Sequence, residues 1–158
     1  MKILYVIIMM LFLGMVSCSE DNLKGYSSSN CIQFDKLSKD STVFSFAYDE
    51  TLESGTVALK LVMISPLVDR DRKYNVKFLQ DESSAQAGVD FEMPAEEQVI
   101  AANDSVAYLN VIVKRNKALK GSAIAVFEVQ VSDDFMPGIE ANRKGRIFIT
   151  NQLTRPGW

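Results

Sequence analysis

Apolar and polar residues alternate with a period of two along most of the chain from Cys31 onward. In the segment 56–64, Val57, Leu59 and Leu61 fall on one face and the residues between them on the other. Alternation over four to eight residues predicts half-buried β-strands. The pattern is found in six segments, which are 42–48, 56–64, 74–79, 105–114, 123–131 and 146–150.

The connections between these segments are short, polar and rich in Gly, Pro, Asn, Asp and Ser, and no long amphipathic pattern interrupts them. We therefore expect an all-β fold, an antiparallel β-sandwich of about seven or eight strands. Within the segment 123–131 the alternation predicts that Phe127, Val129 and Val131 point into the core.

The first residues of the chain have a different pattern. Lys2 precedes a run of about fourteen apolar residues, 3–16, and then come Ser17 and Cys18. The run is shorter than the roughly 20 residues of a membrane-spanning helix and has the length of a signal-peptide core. The junction resembles the lipobox of bacterial lipoproteins, and this resemblance implies cleavage before Cys18 and attachment of acyl chains such as palmitate to it. The predicted divisions are a signal peptide 1–17, a lipidated tether 18–30 and one domain 31–158.

An ordinary secreted protein with a disulfide between Cys18 and Cys31 is the alternative interpretation of the first cysteine. If Cys18 carries lipid, Cys31 has no partner and is expected to be a buried free thiol. The acidic residues Glu20 and Asp21 follow Cys18. Their position resembles the surface-export signal of lipoproteins in Bacteroides-type bacteria. It implies anchoring in the outer membrane at the cell surface, with the periplasmic face as the alternative.

The amino-acid composition limits the partners and the reactions that this chain can support. The chain of 158 residues has 17 Lys and Arg, 20 Asp and Glu and no His. The acidic balance argues against nucleic acid as a partner. The absence of histidine removes the commonest general base and the commonest zinc ligand. No phosphate-binding glycine loop and no CxxC pair is present, so we expect a protein that is not an enzyme and has no cofactor.

Two acidic loops are candidate calcium sites. Asp69 and Asp71 alternate with arginines in one loop, and Asp133 and Asp134 lie beside a turn in another. Oxygen-rich loops suit calcium, but interleaved arginines neutralise such a site. We therefore expect solvated loops and no metal.

The stretch from Ala85 to Asn116 contains the step Gly88-Val-Asp-Phe, followed by an extended segment, a turn and a long alternating strand. This order resembles the Calx-beta type of immunoglobulin-like domain. Where calcium-binding members have paired acidic residues, this chain has Lys114 and Arg115. Asp90 is therefore expected to fix the turn as a hydrogen-bond acceptor.

A further resemblance covers nearly the whole mature chain. The lipobox, "DRDRKYNV", "AGVDF" and the ending carried by Leu153, Pro156 and Trp158 resemble a lipoprotein family of Bacteroides-type bacteria, a domain of unknown function. That resemblance implies that the protein is found beside a TonB-dependent transporter and the transporter's glycan-binding lipoprotein. Trp158 is interpreted either as an aromatic that packs on the sandwich or as one that binds ligand.

The triplets that contain Ser41 and Ser105 resemble the O-glycan acceptor pattern of exported Bacteroides-type proteins. Together these features predict an outer-membrane surface lipoprotein that acts as a non-catalytic accessory module in polysaccharide capture and uptake. The alternative is a structural or adhesin-like module that binds proteins of a surface complex.

Overall fold

The alternating segments form β-strands in the computed structural model, which describes residues 30–36 and 42–153. That part of the chain contains nine strands and no α-helix. The strands are β1 (Cys31–Phe34), β2 (Thr42–Ser45), β3 (Ser54–Ile64), β4 (Arg72–Phe78), β5 (Glu97–Ile100), β6 (Val106–Lys114), β7 (Ser122–Gln130), β8 (Met136–Pro137) and β9 (Lys144–Thr150). Three short 3-10 turns connect them, at Phe46–Tyr48, Gln80–Glu82 and Glu140–Asn142.

Two sheets pack face to face. The four-stranded sheet has the order β6-β3-β1-β8, and the five-stranded sheet has the order β2-β9-β7-β4-β5. The two sheets follow the expected sandwich, but two pairings at sheet edges, β1 with β8 and β2 with β9, are parallel. The expectation of a purely antiparallel sandwich is corrected at these two positions. The chain reaches them by long connections, which parallel pairing requires.

The core consists of the inward-facing residues of both sheets. In the antiparallel pair of β3 and β6, Val57 lies opposite Val111 and Leu59 opposite Leu109, and all four are buried. Their neighbours along each strand face solvent, as the period of two predicts. At one end of the core three aromatic rings meet, with centroids 4.9 to 5.7 Å apart, namely Phe78, Phe91 and Phe127.

The ends of the elements differ from the sequence predictions. The segment 42–48 is not one strand, because β2 ends at Ser45, whose hydroxyl accepts a hydrogen bond from the N–H of Ala47 and starts a 3-10 turn. Val131 is 59% exposed instead of buried, because β7 ends one residue earlier. The described residues contain nine strands where we expected seven or eight, since a two-residue strand such as β8 has no readable period.

Cys31 is the free cysteine of the described residues, and it is half-buried rather than buried. It lies at the first position of β1, opposite Ile64 of β3 and Met136 of β8. Its place at the end of a strand leaves one side open. Among the described residues, no helix is both long enough and apolar enough to cross a membrane.

Candidate functional site

A groove opens beside the end of β4. Two adjoining depressions of about 220 and 540 Å³ share Phe78 and Met93 as lining residues. We call this feature the Phe78–Met93 groove; its principal lining residues are Phe78, Gln80, Ser84, Gln86, Met93 and Pro94. Its size is that of a small-molecule site, which commonly occupies about 300–1,000 Å³.

The groove wall is fixed to the five-stranded sheet. After β4 ends, the chain continues alongside β7, and the N–H groups of Ser84 and Ala85 both donate to the carbonyl of Ile124, at 2.9 and 3.0 Å. In return, the hydroxyl of Ser84 accepts from the N–H of Ile124 at 2.9 Å, and that of Ser83 accepts from Val126 at 3.0 Å. These four hydrogen bonds attach a non-strand segment to β7 and fix one wall of the groove.

The rim of the groove is formed by side-chain amides. Gln80 and Gln86 are exposed, and no hydrogen bond within the described residues uses either carboxamide. Each amide offers a carbonyl acceptor and two N–H donors. Hydroxyl groups of a sugar both donate and accept, so this rim matches their chemistry without requiring a charge.

The floor is apolar. Phe78 is half-buried on Phe91 and Phe127, and beside it the side chain of Met93 is 53% exposed. Pro94 continues this surface. An aromatic edge with a flexible thioether gives an apolar surface that adapts to the shape of a ligand.

Charges around the groove are balanced. Lys77 and Glu96 both line its smaller depression, and Glu82 pairs with Lys144 at 2.5 Å. The balance gives no electrostatic preference for an anionic or a cationic ligand.

The acidic loops lie at another place in the fold, and one aspartate of each, Asp71 and Asp134, accepts hydrogen bonds from protein groups. One carboxylate oxygen of Asp134 accepts from Arg70 at 2.5 Å and the other accepts from the N–H of Lys73 at 2.8 Å. Asp71 accepts from the N–H of Ala102 at 3.0 Å. The Arg70 guanidinium, and after it the Lys73 N–H, hold the pKa of the Asp134 carboxyl below its usual value.

Arg72 is buried at the same end of the sandwich, with 1% of its surface exposed. It donates to the hydroxyl of Ser65 at 2.6 Å and to the carbonyl of Asp104 at 3.1 Å, and its guanidinium lies 4.9 Å from the ring centre of Phe135. The arginine thereby joins three loops. Among the described residues, no group of three or more Cys, Asp or Glu is arranged to hold a metal ion.

Asp90 has the role that the sequence predicts. Its carboxylate is buried and accepts from the N–H of Gln86 and from the side-chain amide of Asn116, each at 2.8 Å. Gly88 has a φ of 84°, which a residue without a side chain adopts readily. The turn therefore holds Gln86 at the groove rim.

The side chains of Lys114 and Arg115 form an ion pair and hydrogen bonds with protein groups close to this turn. Lys114 pairs with Glu92 at 3.1 Å. Arg115 donates to the carbonyls of Leu52 at 2.6 Å and Phe46 at 2.7 Å, and also to that of Asp49. Two cations therefore lie at the end of β6, whereas calcium requires oxygen ligands such as carboxylates.

A second surface is the free edge of β6. The outer side of this strand presents Tyr108, which is 53% exposed, and the exposed Asn110. Lys60 of β3 lies opposite Tyr108 and pairs with Asp35 at 2.8 Å. This surface therefore contains an exposed aromatic ring at the edge of the four-stranded sheet.

The structure describes only some of the predicted site residues. Ser105 is exposed at the start of β6. Cys18, Ser41 and Trp158 lie outside the described residues. Sequence reasoning missed the groove, because Gln80 and Gln86 lie in a segment without periodicity, and only the folded chain brings them to one rim.

The fold defines the class of protein: an immunoglobulin-like β-sandwich, similar in fold to Calx-beta domains. The Calx CBD1 domain in its apo form superposes with a TM-score of 0.57 at 9% identity, covering 78% of this chain and 97% of that chain. The Calx CBD2 domain gives 0.53 at 11% identity, covering 78% and 89%. A Bacteroides ovatus protein described as a "putative carbohydrate binding protein" gives a TM-score of 0.52 at 12% identity, covering 78% of this chain and 37% of that one.

Within this class the chain belongs to the family DUF4843, a domain of unknown function, whose model matches residues 24–158. A search of curated proteins found no significant match. Of these three structures, one is described as a carbohydrate-binding protein. At these low identities the similarity establishes the fold alone.

Proposed function

We propose that this chain is a lipid-anchored surface lipoprotein whose domain binds glycan without catalysis, as an accessory module of a glycan-uptake system. One observation carries the proposal: two unpaired carboxamides, on Gln80 and Gln86, face a groove whose floor contains Phe78 and Met93. Amides pair with sugar hydroxyls, and the apolar floor contacts the C–H faces of the sugar ring. The similarity of fold to a "putative carbohydrate binding protein" supports the proposal.

The groove favours an uncharged glycan. Lys77 and Glu96 balance one another along the lining, and Lys144 is paired with Glu82. Because Lys77 and Glu96, both lining residues, have opposite charges, uronic acids or sulfated sugars would find no net positive charge there. We expect retention on neutral polysaccharides that is insensitive to salt, since no ion pair contributes to binding.

Affinity electrophoresis through gels that contain single polysaccharides tests the proposal. The double variant Gln80→Ala, Gln86→Ala is expected to bind about tenfold more weakly, because hydrogen bonds contribute about 0.5–1.5 kcal/mol each. Asn110→Ala is the matched control, since it removes an exposed amide that does not line the groove. No retention on any neutral or charged glycan, or equal retention of the rim variant and the wild type, would contradict the proposal.

The anchor is tested separately. We propose that Cys18 carries the lipid and that the protein lies in the outer membrane, facing outward, with the periplasmic face as the alternative. Cys18→Ala should prevent labelling by palmitate and release the protein from membranes, and protease added to intact cells should degrade the wild type. Ser41 and Ser105 remain predicted O-glycan acceptors, and a mass shift lost in Ser105→Ala would identify Ser105 as an acceptor.

A structural or adhesin-like interaction module is the second candidate function. The open edge of β6, with the exposed and uncharged Tyr108 and Asn110, favours it. Under this alternative, chemical cross-linking of intact cells should capture a TonB-dependent transporter or its glycan-binding lipoprotein, while glycan retention is absent.

A further inference from the structure

The smaller of the two depressions in the groove lies beside a short open edge of β4. On one side of this strand, the N–H of Leu79 donates to the carbonyl of Val126 in β7 at 2.9 Å. On the other side, the N–H of Val76 donates to the carbonyl of Glu96 at 2.9 Å, just before β5 begins. Because the backbone direction alternates along a strand, Phe78 has the same direction as Val76 and turns its N–H and carbonyl away from β7.

Strand β5 does not extend far enough to pair with Phe78. The pairing of β4 with β5 runs only as far as Asn75, which lies opposite Glu97. Among the described residues, no hydrogen bond uses the N–H or the carbonyl of Phe78, or the carbonyl of Val76. Val76, Lys77 and Phe78 all line the smaller depression, although alternate side chains of a strand point to opposite faces. The unpaired backbone edge itself therefore forms part of the wall.

The remainder of this wall is largely apolar. Met93, Pro94 and Phe127 line the smaller depression together with the edge of β4. With a volume of about 220 Å³, this depression is smaller than the roughly 300–1,000 Å³ of a complete ligand site. It adjoins the larger depression of about 540 Å³, which Gln80 and Gln86 line. The smaller depression therefore suits a substituent of a ligand whose main body lies at the glutamine rim.

We propose that the smaller depression binds the acetyl group of an acetylated sugar, an inference that rests on the glycan binding proposed above. The N–H of Phe78 donates to the acetyl carbonyl, and the acetyl methyl group packs against Met93 and Pro94. A sugar carboxylate would supply an acceptor without the methyl group, and a deoxy sugar would supply the methyl group without the acceptor. An acetyl ester and an N-acetyl amide share the required chemistry, and neither is charged, which fits the opposite charges of Lys77 and Glu96.

Two matched pairs of neutral glycans test the proposal on the full chain. The ester pair is an acetylated glucomannan and the same polymer after mild alkali has removed its acetyl groups, compared by affinity electrophoresis. The amide pair is oligosaccharides of N-acetylglucosamine and of glucose with the same linkage, compared by titration calorimetry. We expect the acetylated member of at least one pair to bind about tenfold more tightly, because it adds one hydrogen bond and one buried methyl group. The pair that shows the preference identifies the source of the acetyl group.

Two variants locate the acetyl group within the groove. Pro94 lines only the smaller depression and Gln86 only the larger one. Pro94→Ser removes apolar surface, so the preference for the acetylated member should fall from about tenfold to about threefold. Gln86→Ala is the matched control, since it should weaken binding of both members by the same factor and keep the preference. Binding of the member without acetyl groups reports that each variant is folded.

The outcomes separate the acetyl site from glycan binding itself. If neutral glycans bind but neither pair shows a preference for its acetylated member, the acetyl site is wrong and glycan binding in the groove stands. An unchanged preference in Pro94→Ser would also overturn the acetyl site. If no glycan binds, glycan binding is contradicted, and the acetyl site with it.

Discussion

Removal of the Asp90 carboxylate should destabilise the domain by about 3 kcal/mol. The carboxylate is 3% exposed and accepts two hydrogen bonds of 2.8 Å, from the Gln86 N–H and the Asn116 side chain. Hydrogen bonds to a charged group contribute about 1.5–3 kcal/mol each. We use the lower value for each bond because Gln86 itself is exposed, so water can partly replace the lost hydrogen bond to its N–H.

The assay is urea and thermal unfolding of Asp90→Ala, followed by circular dichroism. For a domain of about 130 residues, 3 kcal/mol corresponds to a decrease in Tm of roughly 10 °C. Asp90→Asn keeps one acceptor oxygen and should lose about half as much. Asp133→Ala, which removes an exposed carboxylate from another loop, should change stability by less than about 0.5 kcal/mol. A loss below 1 kcal/mol for Asp90→Ala would refute the assignment of this residue as the anchor of the turn.

Three further predictions follow from buried or paired groups. Burial raises the pKa of Tyr74 to about 12, so the unfolded chain ionises first and stability falls as pH rises from about 10 to 12. Tyr74→Phe should remove roughly 3 kcal/mol of that fall in urea titrations, and an unchanged alkaline slope would argue against it. The lowered pKa of Asp134 gives stability that is present above about pH 4 and lost as pH falls through the folded-state value. Asp134→Asn should therefore flatten the acid side of the stability profile, and Arg70→Ala should reproduce part of that effect. A Cβ on Gly145 would lie 2.8 Å from the ring of Phe34, so Gly145→Ala should cost about 1–3 kcal/mol. In a double-mutant cycle Phe34→Leu should recover part of this cost, whereas strictly additive costs would exclude the clash.

The strands were predictable because burial imposes a period on them. Val57, Leu59 and Leu61 alternate with exposed residues, and the sheet places all three in the core. Strand ends were less predictable, as Val131 shows: its side chain continues the apolar period, but it lies beyond the last residue of β7. Where a strand ends depends on its neighbours' hydrogen bonds, which the sequence of one segment does not contain.

Asp90 was predictable from local sequence, because a Gly-x-Asp step forms its own turn. The groove was not. Gln80 and Gln86 are both exposed and belong to an irregular segment, and they form a rim only because Ser84 and Ala85 bind Ile124 of β7, some 40 residues later in the chain. Neither glutamine differs from an ordinary surface residue until that contact is made.

The sequence by itself determined the class of fold, the turn at Asp90 and the prediction of a lipid anchor at Cys18, since each depends on residues close together in the chain. Only the tertiary structure decided which surfaces are available. It buried the odd-numbered side chains of β6 and left Tyr108 and Asn110 outside. It made two edge pairings parallel and brought Gln86 beside Phe78 and Met93. These properties come from contacts between residues distant in sequence, which the packing of two sheets creates.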